Sequence, residues 1–340
     1  MFQRKDRTEE QRLAIAEFWR WWESARGDLD KAIRAGAPQP FVGVISEHVN
    51  AIHRELEWEL TPGLAAHHGL IVTAAGRPEL RATAARWLAA APAPDETWEY
   101  HSVRRADPTV FESVIAFGDI KLEVDKVRYA FTVDDDRGHV DVMCYHPSFA
   151  DVPEDLQAQV TYLTLDWLLG EDRVEIWVGP IHWSAAAPAV PKTPEELRGA
   201  VDALAERGDR WAVMEGTGKD GLHRTALVNL PLRSARWPRF DTHLAVALPY
   251  RGDDEHKLPS DGSMQGMEAF EDALEQAVGG DGAVVAHETG GMLRTIHVYV
   301  DAHTGARARV EAALPGWTEG KAKLSATYDP GFERVGHLAG

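Results

Sequence analysis

The chain has 340 residues, 54 acidic against 36 basic side chains and a formal net charge of −18, so its surface repels polyanions and excludes wholesale binding to nucleic-acid phosphates or anionic lipid. A composition that is 44% hydrophobic and 26% charged is that of a globular protein long enough for two domains with cores of ordinary size. The single cysteine, Cys144, excludes an intramolecular disulfide and a cysteine zinc cage.

The N-terminal stretch is charged throughout and lacks the apolar core and small-residue cleavage site of a secretory signal. No run of about eighteen apolar residues follows, so the expectation is a cytoplasmic protein without a membrane span. Ile15, Phe18, Trp19 and Trp22 recur at i, i+3, i+4 and i+7, widened by Trp21, and predict an amphipathic helix. After a break at 36–40, Val42, Ile45, Val49, Ile52 and Leu56 form a second apolar face. A strand over 69–73, a helix from Pro78 with Leu80, Ala84, Trp87 and Leu88 inward, and a strand over 98–103 make a β-α-β unit. Further strands are expected at 113–117, 127–133 and 139–145, the last two joined through Asp134, Asp135, Asp136, Arg137 and Gly138. A helix over 153–169 is apolar on two faces, with Leu156, Val160, Leu163 and Trp167 on one and Tyr162, Leu165 and Leu169 on the other, which predicts burial on both sides. A strand over 174–178 closes this first domain, residues 1–183.

Pro188, Pro191 and Pro194 deny the segment 183–194 the backbone donors of helix or sheet and mark a linker. Thr193, Pro194 and Glu196 then start a capped helix with Leu197, Val201 and Leu204 as its stripe, so that 184–208 reads as linker and helix. In the second domain, 209–340, two arms at 211–215 and 222–230 form a hairpin. A strand at 243–250, an acidic loop, a helix carrying Met267, Phe270, Leu274 and Val278, strands at 283–288 and 293–300, a helix over 305–314 and a strand over 323–328 follow. The expected fold is therefore α+β in two domains, the second a ferredoxin-like β-α-β-β-α-β sandwich preceded by a β-hairpin.

The run Trp211-Ala-Val-Met-Glu-Gly, then Arg224-Thr-Ala-Leu-Val-Asn, Leu244-Ala-Val-Ala-Leu, Glu268-Ala-Phe-Glu-Asp-Ala-Leu and His297-Val-Tyr-Val resembles the bacterial domain-of-unknown-function family 695 over about residues 205–335. Members of that family are associated with domains similar to the ribonuclease E inhibitor B family, small acidic regulators that bind protein. The resemblance implies a fold and a regulatory setting, and it carries no catalytic residues. The N-terminal part is similar to uncharacterised bacterial proteins through Phe18-Trp-Arg-Trp-Trp and Leu70-Ile-Val-Thr-Ala-Ala-Gly-Arg-Pro-Glu.

Candidate chemistry is weighed against plainer readings. Gly216-Thr-Gly-Lys-Asp-Gly221 invites a phosphate loop, but Val213 stands where the motif needs glycine and Asp220 where it needs serine or threonine, so a hairpin turn is the reading. His48 and His53 lie about 140° apart around a helix and do not share an ion. His67 and His68 point to opposite sides if extended. Cys144 and His146 share a strand face, the minimum for a thiolate and its base, although a small buried residue is the ordinary role of Cys144. Asp134, Asp135 and Asp136 lack the spacing of a calcium loop and read as a solvated hairpin tip. Of twelve tryptophans, Trp21, Trp58, Trp183 and Trp237 lie off any core stripe and are the candidates for an interaction surface.

No catalytic, cofactor or metal site is expected. The preferred expectation is a non-catalytic regulatory or inhibitor-like protein that meets a basic protein partner. The alternatives are a metal-dependent or histidine/acid hydrolase using the N-terminal domain, and a small-ligand sensor with its site between the domains.

Overall fold

A computed structural model describes residues 2–117, 120–218, 221–252 and 257–339. The fold is α+β, with four sheets among the described residues. The first unit comprises helices α1 (Phe2–Arg34) and α2 (Gln39–Ile52), then β1 (Glu57–Pro62), β2 (His68–Thr73), α3 (Pro78–Ala89) and β3 (Trp98–His101). Its sheet runs β1-β2-β3; β1 pairs antiparallel with β2, and β3 lies parallel to β2 because α3 carries the chain across. Aromatic rings fill the core. Trp19 stacks on Trp87 at 4.6 Å and donates its indole N–H to the Trp87 carbonyl at 2.9 Å, and the Trp22 indole donates to the Tyr100 hydroxyl at 3.0 Å. These rings bury large areas while Trp19 and Trp22 find acceptors for their polar atoms.

The second unit begins with a short ribbon, β4 (Val114–Phe117) against β5 (Ile120–Glu123), and continues through β6 (Arg128–Asp134) and β7 (His139–Tyr145). Helices α4 (Glu154–Leu169) and α5 (Glu171–Trp177) lead to β8 (Val178–Ser184), which pairs parallel with β7. The sequence reading of 174–178 as a strand is corrected: 171–177 is helical and the strand starts at Val178. Val174, Ile176 and Val178 alternate with period two, but Gly170 at φ 82° turns the chain and Glu171 and Asp172 occupy the first helical turn, where free N–H groups favour carboxylates. Two smaller expectations also fail. Val42 is 47% exposed and Tyr162 is 48% exposed, so α2 buries a narrower stripe and α4 is not covered at Tyr162.

The capping box forms as its residues require, with Thr193 Oγ1 accepting from the Glu196 N–H and the Glu196 carboxylate accepting from the Thr193 N–H. The helix it starts, α6 (Pro194–Glu206), buries Leu197, Val201 and Leu204 in the same core as Tyr129, Val140, Cys144, Phe149 and Leu165. Residues 1–204 thus hold two separate cores, one around Trp22 and Trp98, the other around Tyr129.

The third unit is a six-stranded sheet in the order β14-β11-β13-β12-β10-β9, antiparallel throughout. Its strands are β9 (Arg210–Thr217), β10 (His223–Leu230), β11 (Thr242–Pro249), β12 (Gly282–Gly290), β13 (Leu293–Val300) and β14 (Lys323–Tyr328). Helices α7 (Asp261–Val278) and α8 (Ala306–Ala313) cover one face through Met267, Phe270, Leu274 and Val310. Phe332, Val335 and Leu338, from the end of the chain, cover the other.

Helix α3 joins the units. Its Leu80, Ala84 and Trp87 enter the first core, while Arg86 reaches the third unit and donates to Asp301 Oδ1 at 2.5 and 3.0 Å and to Asp241 Oδ2 at 2.9 Å. The three side chains are only 10%, 6% and 4% exposed. Removing one member of a buried ion set strands the others, so Arg86→Met is expected to cost roughly 3–5 kcal/mol. Urea unfolding followed by tryptophan fluorescence measures this, and adding Asp241→Asn and Asp301→Asn should recover much of the loss. A cost below about 1 kcal/mol would mean that the pair behaves as a solvated surface contact.

Candidate functional site

The site is built around a carboxylate. At the end of β2 the chain turns through Ala75 and Gly76, both with positive φ (51° and 75°), before α3 begins. This turn aims the Gly76 N–H outward, while the Ala75 N–H is taken by Thr73 Oγ1, and the chain meets the Gly76 donor with its own Glu171. Glu171 accepts from Thr73 Oγ1 at 2.6 Å, from the Gly76 N–H at 3.0 Å and from the Arg104 N–H at 3.0 Å, and is 5% exposed. Gly170 permits the approach: a Cβ there would lie 3.1 Å from the Ala106 nitrogen. One buried carboxylate thereby ties the first unit to the second.

Beside it opens a cleft of about 790 Å³ lined by all three units: Pro78 and Arg81 of α3, Tyr162, Asp166 and Glu175 of α4 and α5, Ile181 of β8, and Leu232, Arg233, Phe332 and Gly336 of the third unit. Most of its polar groups are matched. Arg81 pairs with Glu175 and donates to Ser234 Oγ at 2.7 Å; Arg104 pairs with Glu57 and Glu59. Two are not. The Arg233 guanidinium has no hydrogen-bond or ion-pair partner among the described residues, and burial pulls its pKa below the ordinary value. The Asp166 carboxyl accepts no hydrogen bond among the described residues, and burial, reinforced by the charge of Glu171, pushes its pKa up to about 7 despite the field of Arg104. The cleft thus holds an unpaired cation and a carboxyl poised between its two protonation states, in surroundings that include the exposed face of Tyr162 and the apolar Ile181 and Leu232.

A second cavity of about 810 Å³ lies within the first unit, between Leu88, Ala91 and Pro92 and the loop at Leu64. Its polar groups are satisfied. The N–H groups of Leu64, Ala65 and Ala66, with His101, overcome desolvation and hold Glu99 down at about 2, and Arg105 pairs with the same carboxylate.

The residues singled out in the sequence do not meet at either place. His48 stacks on Trp21 at 4.2 Å. His68 pairs with Asp30 at 2.9 Å and His67 with Arg34 at 3.2 Å. His53 accepts from the Glu55 N–H at the end of α2. No group of three or more metal-ligating side chains forms among the described residues. Cys144 is fully buried and burial pushes its thiol up to about 12. His146 turns away from the role of a base, since one ring nitrogen bonds the Glu123 carbonyl and the other accepts from the Ser148 N–H. Asp134 caps the Arg137 N–H and Asp135 pairs with Arg207. Lys219 and Asp220 of the glycine-rich turn lie outside the described residues, as do positions 253–256 of the acidic loop. The four tryptophans attach to three cores: Trp21 and Trp58 to the first, Trp183 to the second, and Trp237 to the back of the third, where it stacks on Phe332 at 5.8 Å.

Sequence reasoning missed Asp166, Glu171, Arg81 and Arg233. A signal existed for Asp166, the lone charge between Leu156 and Leu169. It also missed a buried relay on the back of the large sheet. His243 Nε2 lies 2.9 Å from His297 Nδ1, and His297 Nε2 lies 3.0 Å from Glu288 Oε1. The His297 bond draws Glu288 down to about 2, while burial and His297 push His243 down to about 4. Beside it the Tyr299 hydroxyl donates to Asp329 at 2.5 Å, and Asp329 accepts the N–H groups of Glu333 and Arg334. This clamp holds the final segment, whose Phe332 and Gly336 form one wall of the cleft.

No protein family, curated protein or solved structure matches the chain.

The folded pKa of Asp166 lies above its ordinary 3.8, so between about pH 4 and 7 the native chain keeps a proton that the unfolded chain has released. Stability from this group is present at low pH and is lost as pH rises through 7. Asp166→Asn removes that loss, so the variant should gain on the wild type between pH 5 and pH 8 in urea midpoints. An unchanged difference at the two pH values would contradict the assignment.

Proposed function

We propose that this chain is a non-catalytic regulatory protein that senses a small ligand in the cleft where its three units meet. The observation that carries this reading is the presence, in one cavity, of a half-buried arginine and a half-buried carboxyl that have no partner among the described residues, beside Arg81, Arg104 and Glu171, which are matched. Both groups are half-buried, so water serves them less fully than at the open surface, and a ligand that pairs with them gains charge-assisted hydrogen bonds on binding. The cavity is of the size that small-molecule sites occupy. The hydrolase alternative has less in its favour, since the histidines it needs are each engaged separately by Trp21, Asp30, Arg34 or the helix end.

In the same reading the third unit is a ferredoxin-like sandwich. Supporting this are the order β14-β11-β13-β12, which is fourth-first-third-second in the β-α-β-β-α-β series, and the placement of α7 and α8 on one face. The hairpin β9–β10 extends the β12 edge. Kinship with the domain family 695 belongs to the proposal as well, and its quoted runs fall on β9, β10, β11, α7 and β13.

A thermal-shift panel of metabolites tests the ligand reading. A compound at about a hundredfold its Kd adds about 2.7 kcal/mol to the folded state, which raises Tm by a few degrees, and Tyr162→Ala, at an exposed position lining the cleft, should reduce the rise. A panel without hits, or hits indifferent to that substitution, would count against it. The charge of −18 favours a second reading, contact with a basic protein. Capture of a basic protein from native lysate at low salt, released as salt rises, is its expected signature; no capture at low salt removes it.

A further inference from the structure

We infer that the junction cleft takes a small zwitterion, an amino acid or short peptide whose carboxylate pairs with Arg233 and whose protonated amine pairs with Asp166, with an apolar body laid against Tyr162 and Ile181. The inference rests on the reading of this cleft as a ligand site and adds the ligand's chemistry to it.

Among the polar groups of the cleft, Arg81 is taken by Glu175 and Ser234, Arg104 by Glu57 and Glu59, and Glu171 by three donors. Among the described residues Arg233 and Asp166 remain at half-buried positions, with the Glu333 carboxylate at the exposed rim. A purely anionic ligand satisfies Arg233 but sets a second negative charge beside Asp166, Glu171 and Glu175. A purely cationic ligand satisfies Asp166 and leaves the desolvated Arg233 without a partner. A molecule bearing both charges answers both needs, and a guanidinium suits a carboxylate because its planar fork can hold both oxygens. The walls between are suited to a body that is apolar or aromatic: the exposed ring of Tyr162 and the side chains of Val174, Ile181 and Leu232. A cavity of about 790 Å³ has room for more than one residue.

Asp166 supplies an independent readout. Its proton is shared with solvent near pH 7 under the combined influence of burial, Glu171, Glu175, Glu59 and Arg104. An ammonium group placed on it favours the ionised form, so binding releases a proton and affinity rises as pH increases through 7 toward 8.

Isothermal titration of the full chain with L-phenylalanine and with phenylalanyl-leucine, each beside its N-acetyl and its C-terminal amide form, tests the inference. The parent zwitterion should bind, and blocking either end should weaken it by about tenfold or more, the range for loss of a charge-assisted hydrogen bond. Arg233→Gln, at a side chain without a partner among the described residues, should abolish the advantage of the free carboxylate, and Asp166→Asn the advantage of the free amine together with the proton release. The two parents separate a free amino acid from a peptide as the source of the chemistry. N-acetyl forms binding as well as the parents, with sensitivity to Arg233→Gln, would overturn the zwitterion while leaving the cleft a ligand site. Cleft-dependent hits in the metabolite panel, with neither parent binding, would do the same. Silence of both experiments would remove the ligand reading itself.

Discussion

Charge withdrawn from water at the ends and flanks of α3 is the constraint on which the arrangement of the molecule depends. That helix is apolar on the side facing the first core and cationic on the side facing its neighbours, with Arg81 directed to Glu175 and Ser234 and Arg86 to Asp241 and Asp301. Guanidinium groups suit this position because their forked donors can serve several oxygens at once and they shed water more readily than an ammonium. Buried pairs of this kind add little net stability compared with apolar packing, yet an unpaired member is strongly unfavourable. Their effect is to disfavour other placements of the three units, since any shift that separates Arg86 from its two carboxylates leaves three charges stranded.

The same desolvation shapes the cleft. Glu171 is met by three donors, and its charge adds to the burial that pushes Asp166, Asp172 and Glu175 upward in pKa. Glu175 is compensated by Arg81. Asp166 has no direct partner among the described residues. The contrast with Glu99 is instructive, because that carboxylate is drawn down to about 2 by N–H donors from the loop at 64–66. Two carboxylates beside cavities of similar volume therefore differ in kind: one closes a loop, and the other is left with bonding capacity to spare.

Much of the fold was legible because its helices and strands bury one face at the period that their geometry sets. The stripe Phe18, Trp19, Trp22, the strand pair around Asp134–Gly138, the capping box at Thr193 and the order of elements from Thr242 to Tyr328 follow from local pattern. The misreadings have local causes as well. In β1, Glu57, Trp58, Glu59 and Leu60 alternate with little apolar content, so the strand is visible only through its pairing with β2. In α5, a period of two through Val174 and Ile176 hid a helix that buries Val174 and Glu171. The cleft was scarcely legible, for Arg81, Asp166, Glu171 and Arg233 are separated by up to 152 positions in sequence and their significance lies in which of them lack partners. Pairing of that kind is a property of the tertiary arrangement.

The first two units share a scheme that bears on how the cleft arose in the fold. In each, an antiparallel pair is followed by a helical crossover to a parallel third strand, β1-β2-α3-β3 and β6-β7-α4-α5-β8. Ligand sites in such units favour the ends of parallel strands, where the chain turns into its crossover helix. In the first unit that end is the turn at Ala75 and Gly76, and it is filled by Glu171 from the crossover of the second. The usual anion position is thus taken by the protein itself, and open space is displaced outward to where the third unit supplies Arg233 and the clamped segment at Phe332. Because the walls come from three units with distinct cores, a ligand bridging Arg233 and Asp166 would link the third unit to the second across α3, and its binding energy would appear as resistance to their separation. Occupancy would then be reported by the relative order of the units, with no change needed in the secondary structure of any one of them.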